Sequence, residues 1–125
     1  MAKTNPVGWF EIPVKDISRA KKFYEKSFGQ GFNDMNMDGW KMAMFASSGP
    51  EAYGCGGMLV QGEGYTPSHA GSLVYFSVQD ITATLKTIES CGGKTLMPKK
   101  SIGEHGFIAM FEDCEGNRVA LHAMG

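Results

Sequence analysis

Several features that would settle a function quickly are scarce or missing in this chain of 125 residues. No apolar run approaches the ~20 residues of a membrane-spanning helix, and no N-terminal apolar stretch resembles a signal peptide. Charge of one sign is absent too. With a formal net charge of −1, the chain has no electrostatic footprint for nucleic acid or an acidic membrane surface. The basic pairs Lys21-Lys22 and Lys99-Lys100 are read as solvated faces. Cysteine is sparse: Cys55, Cys91 and Cys114 make an odd number without Cys-x-x-Cys spacing. That excludes a disulfide or zinc framework and points to reduced thiols in a cytoplasmic protein.

What is present is repetition. The stretch WFEIPVKDISRAKKFYEKSFGQ, starting at Trp9, lies over LVYFSVQDITATLKTIESCGGK, starting at Leu73, at one constant offset and without a gap. Val14 falls on Val78, Asp16 on Asp80, Ile17 on Ile81, Lys22 on Lys86, Glu25 on Glu89 and Gly29 on Gly93. Such an internal repeat constrains the fold more than any single motif. A site built between two copies should draw matching positions from both.

Each copy predicts the same local order. Val7–Val14 and Leu73–Val78 are short β-compatible apolar runs. Each leads into Asp-Ile-Ser/Thr, where Asp16 or Asp80 can cap a helix start. Ile17, Ala20, Phe23, Tyr24 and Phe28 recur at helical spacing, as do Ile81, Leu85 and Ile88, stripes suited to packing on a sheet. Gly29 and Gly92-Gly93 provide positive φ at the helix ends. Three strands should follow each helix: Gly31–Asn36, Trp40–Ala46 and Gly56–Gln61, then Lys94–Lys100, Gly106–Glu112 and Arg118–Ala123. The repeat resurfaces where Met42–Phe45 (MAMF) matches Ile108–Phe111 (IAMF). The expectation is an α+β protein of two tandem βαβββ modules, about 7–61 and 71–123. A linker at Gly62–Ala70 joins them into a single domain over 1–125, with a curved mixed sheet around a cavity.

On these residues the chain resembles the vicinal oxygen chelate superfamily of glyoxalases, bleomycin-resistance proteins, extradiol dioxygenases and fosfomycin-resistance enzymes. The resemblance rests on Val14-Lys15-Asp16-Ile17 through Phe23-Tyr24 to Phe28-Gly29. The turn Asp113-Cys114-Glu115-Gly116-Asn117 also looks like the family's D-P-[DE]-G-[NY], with Cys114 in place of proline. It covers about Val7 to Ala123. Metal-using members of this group place His or Glu ligands on the first and last strand of each module. Aligned on the same anchors, the resemblance puts those positions at Trp9, Leu73, Ala120 and, with a register uncertain by one residue, Met58. None offers a hard oxygen or imidazole donor, so no metal or other cofactor is expected. A metal-dependent glyoxalase-type lyase remains an alternative that this row argues against. The fold by itself decides no chemistry.

Strand alternation places Glu11 and Pro13 with Trp9, Tyr75 and Ser77 with Leu73, and Arg118 and His122 with Ala120. The expected cup is apolar at one level (Trp9, Met58, Leu73, Ala120) and polar one pleat along (Glu11, Tyr75, His122), as small-molecule sites generally are. Glu11 is a carboxylate in an apolar strand and must be hydrogen-bonded, paired or partly solvated. It is read either as a general base or ligand-orienting acceptor, or as a structural partner of Arg118. His122 is read as a satisfied sheet histidine, Tyr75 as cavity wall, and His69 and His105 as solvated loop residues. Two functions follow: metal-independent binding of a small, partly aromatic molecule, or a lyase or isomerase using Glu11 acid–base chemistry. The resemblance further implies a homodimer.

Overall fold

A computed structural model describes residues 5–125 of the chain. Its first half runs β1 (Trp9–Pro13), α1 (Ile17–Phe28), β2 (Phe32–Met37), β3 (Trp40–Phe45) and β4 (Gly56–Gln61). The second half repeats that order as β5 (Tyr75–Ser77), α2 (Ile81–Ser90), β6 (Lys94–Ser101), β7 (Phe107–Glu112) and β8 (Arg118–Ala123). Two four-stranded sheets result, in the spatial orders β1-β4-β3-β2 and β5-β8-β7-β6. The first strand of each module pairs parallel with its last, and the others are antiparallel. This is the α+β architecture expected from the repeat. β5 is shorter than Leu73–Val78, although single hydrogen bonds, Ala120 N–H to Val74 O and Val78 N–H to His122 O, extend the pairing at both ends.

The repeated sequence produces repeated physics. Asp16 accepts a hydrogen bond from Arg19 N–H and Asp80 from Ala83 N–H, each at 3.1 Å, so both helices start on the same cap. Gly29 closes α1 in the left-handed region at φ 66. Of the Gly92-Gly93 pair that ends the second helix, only Gly92 takes positive φ, at 99. Gly93 is needed for closeness instead, because a Cβ there would meet the Glu112 carbonyl oxygen at 2.9 Å. Asp38 (φ 52) and Gly39 (φ 86) make the tight turn between β2 and β3, the positive-φ pair that suits a right-twisted hairpin.

Both helices lie over one continuous core. Ala20, Phe23 and Tyr24 of α1 and Ile81, Leu85 and Ile88 of α2 meet Ile12, Ala43, Leu59, Ala109, Phe111, Val119 and Leu121 from the sheets. Each such aliphatic or aromatic side chain contributes about 1.5–3 kcal/mol when fully buried. Where the modules meet, Phe76 of β5 stacks on Phe28 at 4.5 Å between ring centres and packs on Phe10 of β1 at 5.9 Å. The two edge strands are therefore held together by rings on the helix side.

A polar lock also joins the modules. The Asp113–Asn117 turn is buried: Asp113 Oδ1 accepts from the N–H groups of Glu115 and Asn117, and Oδ2 from the Tyr24 hydroxyl at 2.8 Å. Glu115 Oε1 accepts from Lys15 N–H (2.7 Å) and Asp16 N–H (2.9 Å), and Oε2 pairs with Arg19. The Asp113–Asn117 turn of module two thus holds the residues that lead into the helix of module one, and Arg19 in its first turn. Among the described residues no helix is long and apolar enough to cross a membrane.

Candidate functional site

Since Phe10 and Ile12 face the core, Trp9, Glu11 and Pro13 must take the opposite, open face of the first sheet. By the same alternation, Tyr75 and Ser77, and Arg118, Ala120 and His122, share the open face of the second. Trp9 and Tyr75 are 46% and 47% exposed there, whereas Ala120 is fully buried. The chosen residues do fall on one face of each sheet, as the period-two pattern requires.

The strand register, however, is not the expected one. Glu11 sits opposite Met58 and Trp9 opposite Gly56, while Tyr75 sits opposite Ala120 and Ser77 opposite His122. Leu73 precedes β5 and is one pleat beyond Ala120. The cup is therefore not apolar at one level and polar at the next: Glu11 lies beside Met58, and Tyr75 beside Ala120. Alternation fixes which face a residue takes, but only inter-strand pairing fixes its level, and that pairing is not local.

Glu11 is exposed on this face, and the structural pair with Arg118, one of the two readings of it, does not form. Its Oε1 accepts from the Tyr65 hydroxyl at 2.8 Å, and among the described residues no ion pair joins it to Arg118. Tyr65 comes from the linker, which folds back over the open face. Trp40 Nε1–H donates to Glu63 O at 3.0 Å, and the Trp40 and Tyr65 rings meet edge to face. That hydroxyl holds its proton more tightly than a free tyrosine, chiefly because it donates to a carboxylate. Further along, Ser68 N–H donates to Asn117 Oδ1, Arg118 N–H to Ser68 O, and His69 pairs with Glu112 at 2.8 Å. The linker is a strap between the modules rather than a free connection, and His69 is paired although half exposed. His122 donates from Nε2 to the His105 carbonyl at 2.7 Å, the satisfied sheet histidine expected.

Beneath the strap lies a cavity of about 120 Å³ at the junction of the modules, lined by Glu11, Pro13, Thr66, Ser68, Ser72, Asn117 and Arg118, among others. The Arg118 Nε is buried and has no hydrogen-bond partner among the described residues. A second cavity, of about 300 Å³, opens between the end of α1 and β5, lined by Ser27, Gln30, Phe76 and Gln79. Its lining holds no charged side chain.

The open face of module one also carries a sulfur-rich floor that the sequence reading passed over. Met35 pairs with Met42, Met44 with Met58, and Met37 with Trp40. The signal was legible as Met35-x-Met37 and Met42-x-Met44 at strand period. Methionine is flexible and polarizable, so such a floor adapts to varied apolar and aromatic ligands. Among the described residues no three His, Cys, Asp or Glu side chains are placed to share a metal ion. Trp9, Met58, Leu73 and Ala120 supply a thioether and three hydrocarbon surfaces, a donor set that does not fit a hard divalent cation.

Comparison with known proteins agrees with this architecture. The family model described as the Glyoxalase/Bleomycin resistance protein/Dioxygenase superfamily matches residues 7–121. A glyoxylase-like domain-containing protein of Didymella fabae is 32% identical over 119 residues, covering 92% of this chain and 91% of that protein. Glyoxalase I from Zea mays superposes with a TM-score of 0.71 at 21% identity, over 94% of this chain but 46% of the maize chain. This chain thus spans about half the length of that enzyme. TnmS3, an antibiotic-binding protein from Streptomyces sp. CB03234, superposes with a TM-score of 0.66 at 24% identity, over 100% of this chain and 99% of its own.

Proposed function

Because the chain belongs to the glyoxalase/bleomycin resistance protein/dioxygenase superfamily, we propose that it binds a small, partly aromatic molecule on its open face, without divalent-metal chemistry. The observation that carries this reading is the donor set. The positions that the resemblance aligns with the metal ligands of relatives are Trp9, Leu73, Ala120 and, within one residue, Met58, and Ala120 is buried besides. Such a surface grips apolar matter and polarises nothing. Trp9, Met58 and Tyr75 supply the apolar contacts, Leu73 and Ala120 the backing, and Glu11 and His122 the polar edge. An antibiotic-binding protein of the same length and fold is compatible with binding as the end in itself.

The working unit in this reading is a homodimer. The junction cavity of one chain, at about 120 Å³, is smaller than the ~300–1,000 Å³ of usual ligand sites. Trp9, Met35, Met37 and Tyr75 stay substantially exposed on the open faces, and a second copy laid across them would complete the enclosure. Light scattering should give about twice the mass of a chain of 13.6 kDa; a monomer at micromolar concentration refutes the dimer.

A second reading makes Glu11 a general base. It is favoured by one observation: Glu11 lines the cavity, and among the described residues only one of its oxygens is engaged, by Tyr65. A thermal-shift screen of metabolites and antibiotics, followed by product analysis of each hit, separates the two. Hits recovered unchanged support binding, and turned-over hits whose conversion stops in Glu11→Gln support the base. About one Zn, Ni, Fe or Mn per chain, lost with activity on chelation, would overturn both.

A further inference from the structure

We propose that the junction cavity holds the zwitterionic head of an α-amino acid, its carboxylate on Arg118 and its ammonium on Glu11, with the apolar side chain running over Met58. The inference rests on the small-molecule-binding reading and gives its ligand a chemical class.

Two opposite charges line one small cavity without satisfying each other. Arg118 Nε is buried and donates to nothing, and no ion pair joins the guanidinium to Glu11 among the described residues. Opposite Arg118 in the β7–β8 register is Glu112, whose Oε1 pairs with His69 and which forms no ion pair with Arg118 among the described residues. A buried guanidinium donor without an acceptor is costly, because hydrogen bonds to charged groups are the strong ones. Nε itself has no accessible surface, but Arg118 lines the cavity and brings a positive charge to its wall that an anionic acceptor would offset. Glu11 can supply the reverse. It is exposed, and its Oε1 takes one hydrogen bond from Tyr65, so the rest of the carboxylate can exchange water for a cationic donor. Asn117 cannot substitute for either charge, since its amide already serves Pro13 O, Asp113 Oδ2 and Ser68 N–H. Thr66 and Ser72 add hydroxyls to the wall.

Size narrows the class. A volume of about 120 Å³ is well below the ~300–1,000 Å³ of sites that enclose a drug-sized ligand. That is room for an ammonium, an α-carbon and a carboxylate, and not for a whole drug-sized molecule. The remainder of the ligand must leave the cavity. Glu11 is paired across the sheet with Met58, which leads on to Met44. The exit is therefore over the methionine floor, which favours an apolar or aromatic side chain.

The test is calorimetric titration of the full chain with L-phenylalanine, against phenethylamine (no carboxylate) and 3-phenylpropionate (no ammonium). L-Phenylalanine should bind at least about tenfold more tightly than either, as the loss of one charge-assisted contact requires. Glu11→Gln should weaken L-phenylalanine but leave 3-phenylpropionate unchanged. Arg118→Met should weaken 3-phenylpropionate but not phenethylamine, and Arg118→Lys, the variant safer for folding, should restore part of the loss. Three compounds binding equally, or L-phenylalanine failing to bind at all, refutes the amino-acid head. If library compounds without that head still stabilise the protein, the small-molecule reading survives alone; if nothing stabilises it, both fall.

Discussion

Replacing Glu115 with Gln tests the claim that the last turn of module two holds the helix of module one. The carboxylate is fully buried, accepts from Lys15 and Asp16 N–H at 2.7 and 2.9 Å, and pairs with Arg19, whose side chain is half exposed. The amide can keep its oxygen on the two backbone donors. Its NH2 group then faces Arg19 Nε–H, donor against donor, and Arg19 must swing into water. The change removes one charge-assisted hydrogen bond, worth about 1.5–3 kcal/mol. It also weakens two others from ionic to neutral. Because Arg19 recovers solvent, the cost stays under the ~3–5 kcal/mol of breaking a fully buried pair. A loss of about 2–3 kcal/mol lowers the melting temperature of a domain this size by roughly 8–12 °C.

The pH dependence gives the same variant a second readout. Burial pushes the Glu115 pKa up, but the hydrogen bonds from Arg19 and from Asp16 and Lys15 N–H outweigh it and hold the group below its ordinary value. A lowered folded pKa means stability that is present above the unfolded pKa and lost as pH falls through the folded one. The parent's advantage over Glu115→Gln should therefore shrink from neutral to acid pH. Thermal melts by circular dichroism at several pH values measure both. A variant within about 0.5 kcal/mol of the parent, the range of ordinary surface changes, refutes the interlock.

Tyr24→Phe should cost about 1.5–3 kcal/mol, since it strips a buried hydrogen bond from the Asp113 carboxylate. Burial already raises the Asp113 pKa, against the hydrogen bonds from Asn117 and Tyr24; losing one donor raises it further, so the deficit in a melt should grow as pH rises through that value. Burial, then the hydrogen bond to Glu115, pushes the Cys114 thiol up to about 12. Cys55 is exposed, so iodoacetamide near pH 8 should label Cys55 and spare Cys114 until the protein unfolds, as peptide mass mapping would show; rapid Cys114 labelling in the folded protein contradicts the geometry.

The parts of this molecule that were legible in the sequence are those whose cause is local. A cap needs an aspartate next to a helix start, and Asp16 and Asp80 are there. An amphipathic helix needs apolar residues at its own period, and Ala20, Phe23 and Tyr24 supply them. Repetition then carried the argument from one module to a pair. What stayed hidden depends on pairings between distant residues. Nothing near Glu11 in the chain announces Tyr65, because the linker must first fold back over β1. Nothing near Glu115 announces Lys15, because the two modules must first dock.

The same distinction explains why the site is read differently from the fold. Faces follow from alternation, so Trp9, Glu11, Tyr75 and His122 could be assigned to the open side. Levels follow from register, and register brought Glu11 to Met58 and Tyr75 to Ala120. The consequence is chemical. An apolar layer above a polar layer would hold a ligand end-on, with its body deep and its polar group near solvent. In the proposed site the charges of exposed Glu11 and of Arg118 would instead hold the polar group at the junction, with the apolar body spread over the methionine floor. On that proposal, a shift of one pleat turns a generic apolar cup into a site with a defined charged end.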